Sequence, residues 1–245
     1  MEKTENAAYK YFDVNKHVGS YNYNPTSKLF ISWDDNIHPY LPTGIFQVAI
    51  FREGDKQIKE VRMIDCILGR HPFNTVERVC QMIKEKYPPT KHQATLEIFV
   101  DATAQKEDTK LEKGSNFFSL ITGYLKEYKI TNRVSRTNES VSMRLSWINA
   151  ILEKENGNIR FRVDSKCKEA ISDFVQTSEA ADGCKLKNIV TDPKTKIRYQ
   201  EHGHITDLTD YFLTGLFASE YYTYKRGGKP FMITMGKRQP SKNSY

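Results

Sequence analysis

Leu29-Phe30-Ile31-Ser32-Trp33-Asp34 is an apolar run that ends on a carboxylate, and Leu96-Glu97-Ile98-Phe99-Val100-Asp101 repeats the pattern. Each reads as a strand that delivers an aspartate to the place where a sheet meets solvent. A third acidic cluster, His202-Gly203-His204-Ile205-Thr206-Asp207-Leu208-Thr209-Asp210-Tyr211, opens a helix near the C-terminus. Carboxylates brought together on rigid strand ends make an oxygen-rich site suited to Mg²⁺ or Mn²⁺. The chain carries a net charge of +7 and a pI near 9.0. A basic balance favours polyanionic partners, so the pattern points towards a nuclease.

Outward from these strands the chain alternates in a consistent order. Residues 1–26 are polar and tyrosine-rich and read as an N-terminal linker or tail. Strands are expected over 28–33, 44–51 and 58–68, with a turn at Arg52-Glu53-Gly54-Asp55, which together suggest an antiparallel meander. Residues 74–86 place Val76, Val79, Cys80 and Ile83 at helical spacing, with Asn74 as N-cap and Glu77 completing a capping box. Pro88-Pro89 ends that helix. After the strand at 96–100 comes a polar loop over 102–115, then a helix over 117–128 and a strand over 129–134. A helix over 138–153 follows, with Val141, Leu145, Ile148 and Leu152 on one face, then a strand over 159–163 and a helix over 166–176. Residues 186–200 read as a β-hairpin with a charged tip, 205–222 as a long helix, and 224–245 as a basic tail. The outcome is one α/β domain over residues 27–223: a mixed sheet flanked by helices, in the element order of the ribonuclease-H-like fold, with an added β-hairpin.

Length and composition narrow the class. A chain of 245 residues with 38% apolar content builds a substantial core. No stretch approaches the ~20 apolar residues of a membrane span, and the polar start Met1-Glu2-Lys3-Thr4-Glu5-Asn6 has no signal-peptide character. Cys66, Cys80, Cys167 and Cys184 form no C-x-x-C pair, which argues against a zinc site or a disulfide framework. A reducing cytoplasm suits them, and secretion is not expected.

Phosphodiester hydrolysis needs an activated water and a stabilised leaving oxygen, and two divalent ions ~3.5–4 Å apart supply both. Asp34, Asp101 and Asp207 are the candidate ligands. His204, three residues before Asp207 and on roughly the same helical face, is a candidate ligand or proton carrier. Asp210, one turn on, either supports the site or faces solvent. Each aspartate alone also suits turn geometry or a helix N-terminus; the trio on a basic chain carries the metal reading. Candidate phosphate contacts are Lys106, Lys110, Lys113, Arg133, Arg136, Lys185, Lys187, Lys194 and Lys196, with weak sequence preference expected because no recognition-helix motif appears.

Five segments, in order, resemble the C-terminal nuclease domain of tailed-phage large terminase subunits. Trp33-Asp34-Asp35-Asn36-Ile37-His38-Pro39-Tyr40 resembles the family's aromatic-D-F-N-x-N-P element, and Val100-Asp101-Ala102-Thr103 its second acidic strand. Arg136-Thr137-Asn138-Glu139-Ser140-Val141 is similar to R-T-N-P-S-V, Arg162-Val163-Asp164-Ser165-Lys166-Cys167 to V-D-P-x-C, and His202-Gly203-His204-Ile205-Thr206-Asp207 to H-x-H-x-S-D. The resemblance implies a ribonuclease-H-like endonuclease that uses Mg²⁺ or Mn²⁺, two ions together, to cut concatemeric double-stranded viral DNA during genome packaging. It makes Asp34, Asp101 and Asp207 the metal ligands, sets His204 beside them and places the hairpin over the site. It implies a phage or prophage origin, a bacterial host cytoplasm, and a portal, a small terminase subunit and a packaging ATPase domain as partners. Asp35 stands where the family has an apolar residue, and alternation points it away from Asp34. Glu139 replaces a proline. No G-x-x-x-x-G-K-[ST] occurs, so the chain is expected to be a separate nuclease, an excised domain or a remnant, without a motor of its own. A junction resolvase or ribonuclease H on the same fold, and a non-catalytic DNA-binding domain of a packaging complex, are the alternatives.

Overall fold

The computed structural model describes residues 3–106, 115–154, 158–193 and 195–227. In chain order the elements are α1 (Val14–His17), β1 (Val18–Gly19), β2 (Leu29–Trp33), β3 (Tyr40–Glu53), β4 (Lys56–Arg70), α2 (Val76–Lys86) and β5 (Leu96–Phe99). A single 3₁₀ turn, Ala102–Gln105, precedes α3 (Phe117–Tyr124), β6 (Ile130–Asn132), α4 (Val141–Lys154), β7 (Ile159–Asp164) and α5 (Lys168–Gln176). The hairpin β8 (Ile189–Thr191) and β9 (Arg198–Gln200) leads into α6 (His204–Leu216) and α7 (Ala218–Lys225).

Seven strands form one sheet in the order β1-β7-β4-β3-β2-β5-β6. β2, β3 and β4 are the antiparallel meander that the sequence predicts, turning at Gly54, whose φ of 58° suits glycine. β5 adds parallel to β2, and β6 parallel to β5. On the other side β7 runs parallel to β4, and β1 parallel to β7.

The period-two alternation sorts side chains into two cores, one on each face of the sheet. Leu29, Ile31 and Trp33 of β2 join Leu96 and Ile98 of β5 under α2 and α3, against Val79, Cys80, Ile83 and Ile121. Phe30, Phe46 and Phe99 point the other way, where α6 lays down Ile205, Leu208 and Phe212. Close approach of α6 depends on Gly44, since a Cβ there would meet the Leu208 side chain at 2.6 Å.

Four expectations change. Residues 3–26 are no tail: Ala8 and Tyr9 are fully buried and Phe12 nearly so. The Ala8 N–H donates to the Thr177 carbonyl at 2.8 Å, and the segment contributes β1 to the sheet edge. Its apolar residues follow no regular period because it runs as an irregular strap, so the pattern does not announce them. The cap of α2 is Thr75, whose hydroxyl accepts from Arg78 N, while the Asn74 amide donates to the Ile37 carbonyl. The long final helix is two helices, broken at Phe217 (φ −110°, ψ 41°). Tyr224 and Lys225, assigned to a basic tail, belong to α7; residues 228–245 and 107–114 lie outside the described residues.

Candidate active site

The β2–β5 register runs from Leu29↔Leu96 to Ser32↔Phe99. Extended by two residues, it sets Asp34 and Asp101 side by side beyond the carboxyl ends of neighbouring parallel strands. Asp34 shares its face with Ser32, whose hydroxyl donates to the Leu208 carbonyl at 2.6 Å and ties β2 to α6. That tie brings the first turn of α6, with His204 and Asp207, to the same end of the sheet.

The α6 N-terminus is held from outside. Gly203, at φ 113°, has no side chain to cap it. Asp173 of α5 reaches in instead, accepting from Gly203 N at 2.8 Å, Ile205 N at 2.9 Å and Thr206 N at 3.2 Å. A carboxylate serving three orphan amides at the positive end of a helix is a strong anchor.

Asp101 caps the 3₁₀ turn, accepting from Thr103 N at 2.7 Å, and receives the Asn138 amide at 2.7 Å. Burial alone would raise its pKa, but the hydrogen bonds from Thr103 and Asn138 outweigh it and the pKa falls. Asn138 also accepts from Ala102 N at 2.9 Å, so the R-T-N segment braces the second acidic strand.

Asp34 faces His204, with Oδ2 3.2 Å from Nδ1. Its pKa is raised by burial and by the Asp207 charge, against the opposing pull of His204 and Lys185. The His204 Nε2 lies 2.9 Å from the Gln200 carbonyl and 3.3 Å from the Asn36 side-chain amide nitrogen. Burial works against a charged imidazole, yet the Asp34 carboxylate wins and the His204 pKa rises. Asp35 is exposed, whereas Asp34 points into the site.

Asp207 is bound by Lys185: the ammonium lies 2.7 Å from Asp207 Oδ1, 2.7 Å from Asp210 Oδ2 and 3.2 Å from the Thr206 hydroxyl. Lys185 is among the phosphate-contact candidates of the sequence. The structure corrects this, because its side chain is 5% exposed and committed to two carboxylates. Asp210 is fully buried and also accepts from the Tyr9 hydroxyl at 2.8 Å, so it supports the site from below. Arg144 is buried nearby, its guanidinium 4.6 Å from the Tyr211 ring. Tyr211 has its pKa raised by burial and by the charges of Asp207, Asp34 and Asp101.

The other basic candidates divide. Arg133 shares its charge with Glu97 at 3.2 Å. Lys106, Arg136, Lys187 and Lys196 are exposed, and Lys110, Lys113 and Lys194 lie outside the described residues. Glu139, the departure from the proline pattern, accepts from the Tyr222 hydroxyl at 2.8 Å and the Lys225 ammonium at 2.6 Å, binding α7 to the loop before α4.

The donors have the hard-oxygen chemistry that Mg²⁺ and Mn²⁺ prefer. Among the described residues, however, no three acidic, histidine or cysteine side chains converge closely enough to hold one ion. Asp34 and Asp101 suit an oxygen-seeking ion chemically, while at Asp207 an ammonium already provides positive charge.

The reading from sequence missed Lys185 as an internal cation, along with Tyr9, Arg144, Asp173 and Tyr211. Asn138 and Tyr211 stand inside quoted segments without an assigned role, and the contact of Asn138 with Asp101 explains why its segment accompanies the acidic strands.

No family model and no curated protein sequence matches the chain. Solved structures do. The large terminase of a thermophilic bacteriophage aligns over 86% of this chain and 45% of its own, with a TM-score of 0.55 and 15% identity. The P22 large terminase nuclease domain aligns over 84% of this chain and 90% of its own, with a TM-score of 0.52 and 13% identity. The chain thus spans less than half the length of the thermophilic phage's terminase while matching nearly all of the isolated P22 domain. No described helix is long and apolar enough to cross a membrane. The mixed seven-stranded sheet with flanking helices is the ribonuclease-H-like α/β fold of terminase nuclease domains.

Proposed function

We propose that this chain is a metal-dependent endonuclease that cuts double-stranded concatemeric viral DNA during packaging. The observation that carries the reading is the pairing of β2 with β5, which brings Asp34 and Asp101 to one sheet end under the Asp207 turn of α6. The shared fold supports it. Asp34 and Asp101 would hold Mg²⁺ or Mn²⁺, which when bound polarises the phosphodiester and acidifies a water. Asn138 and Thr103 keep Asp101 ionised and aimed. His204, with Nδ1 3.2 Å from Asp34 Oδ2, would hold or pass a proton beside the reacting phosphate. Exposed Lys106, Arg136, Lys187 and Lys196 would meet the backbone of the duplex. A packaging ATPase, a portal and a small terminase subunit, in a bacterial host's cytoplasm, complete the proposed setting.

Plasmid nicking with Mn²⁺, Mg²⁺ or EDTA tests this. Wild type should nick with metal and stop with EDTA, and Asp101→Ala should lose on the order of 10²-fold or more, since even outer-shell losses around a metal cost 10–100-fold. Preferential cleavage of an RNA–DNA hybrid or a four-way junction would assign the site to a ribonuclease H or a resolvase. No nicking with any ion, and Mn²⁺ affinity unchanged in Asp101→Asn, would leave a DNA-binding role.

A further inference from the structure

Lys185 lies a few residues before the β8–β9 hairpin and sends its side chain inward to the acidic end of the sheet. An ammonium has three donors, and here three acceptors meet it: Asp207 Oδ1 and Asp210 Oδ2 at 2.7 Å each, and the Thr206 hydroxyl at 3.2 Å. The Tyr9 ring lies beneath it, its centroid 5.2 Å away. Burying an ammonium this deeply is costly unless its partners are charged and well placed, and both conditions hold.

Asp210 has other support, from the Tyr9 hydroxyl at 2.8 Å and from the buried Arg144 charge. A plain structural salt bridge would therefore not need Lys185 to reach Asp207 as well. Lys185 takes only one oxygen of Asp207, and among the described residues no hydrogen bond reaches the other. Asp207 is the more exposed partner, 26% against 0% for Asp210, so it forms the boundary between the buried charge cluster and the site. A compact positive charge thus sits on Asp207, the third of the candidate carboxylates, after Asp34 and Asp101, for a two-ion site with its second metal position.

Building on the nuclease reading, we infer that Lys185 supplies the positive charge of that second position, so that the site takes one divalent ion per chain. Lys185 does not touch DNA. It acts through Asp207, fixing one oxygen and balancing charge, as a positioning residue. A fixed ammonium has no coordination sphere to fill and adds its charge without a second ion having to be bound.

Mn²⁺ binding to the full chain, followed by calorimetry and electron paramagnetic resonance, tests this with a readout separate from cleavage. The ions that count are those lost in Asp101→Asn. Wild type should bind about one such ion with an isolated-ion spectrum, and Lys185→Met should bind about two, with the spin coupling of ions ~3.5–4 Å apart. Lys185→Arg, which keeps the charge, should stay at about one ion. Two coupled ions in wild type, or the same count in wild type and folded Lys185→Met, overturn the inference while leaving the nuclease reading intact. No bound Mn²⁺ in wild type overturns the metal reading itself, and this inference with it. Should Lys185→Met fail to fold, judged by circular dichroism, the wild-type count and spectrum decide alone.

Discussion

At the scale of single residues, the site depends on charges that the fold forces together. His204 and Asp34 come from elements 170 residues apart in sequence and meet at 3.2 Å. Burial disfavours the imidazolium, but the Asp34 carboxylate prevails and lifts the His204 pKa. A histidine whose folded pKa is raised adds stability that is fully present below its unfolded value, ~6.5, and lost as pH rises through the folded value. Two-dimensional NMR titration should therefore place His204 above the ordinary histidine value, and Asp34→Asn should bring it down. Urea denaturation should show wild type losing more stability above pH ~6.5 than His204→Gln does. A His204 that titrates at or below ~6.5 would sink this account of the pair. Asp34 and Asp101 were legible in the sequence because strand alternation needs only nearby residues. Lys185 was not: its partner Asp207 is 22 positions away, and a lysine among other lysines reads as solvated surface until the chain is folded.

At the scale of elements, the first turn of α6 is the part most open to loss. Its N-cap position is a glycine, so Asp173 of α5 satisfies three of its amides from 30 or more residues away. Asp173→Ala would leave three buried donors without acceptors and remove the favourable charge at the helix N-terminus. The expected cost is about 2–4 kcal/mol, with faster amide exchange at residues 203–207 before global unfolding. Asp173→Asn, which keeps one acceptor, should recover part of the stability. The N-terminal strap makes a similar contribution lower down. Tyr9→Phe removes the hydroxyl from Asp210 but leaves Lys185 in place, for an expected cost of about 1–2 kcal/mol in urea denaturation. Helices and strands were legible wherever a period of 3.6 or 2 was sustained. The strap was not, since its buried Ala8, Tyr9 and Phe12 follow neither period. Nor was the break at Phe217: Gly215 stands two residues before it, but a single glycine within a helical pattern is tolerated and does not by itself announce an end.

At the scale of the whole molecule, the net charge of +7 has a direction. One of the nine basic candidates, Lys185, is committed to the internal carboxylates Asp207 and Asp210, while Arg133, 41% exposed, shares its charge with Glu97. Burial removes Lys185 from any count of phosphate contacts, although composition counts it equally with the rest. The exposed set, Lys187 and Lys196 before and within the hairpin and Lys106 and Arg136 near Asp101, lies on segments that flank the acidic end of the sheet. Each phosphate neutralised releases counterions, so affinity for duplex DNA falls with salt at a slope set by the number of contacts. Lys187→Glu and Lys196→Glu should each weaken binding alike across unrelated duplex sequences and shallow the slope of log affinity against log salt by about one. Lys185→Met, which removes the charge, should leave that slope unchanged, because the ammonium faces inward. Fluorescence anisotropy across a salt series, on an Asp101→Asn background and without added divalent ions, separates the two kinds of lysine. A slope that falls with Lys185→Met, or stays fixed with both hairpin variants, would mean that DNA approaches some other face than the one the carboxylates open onto.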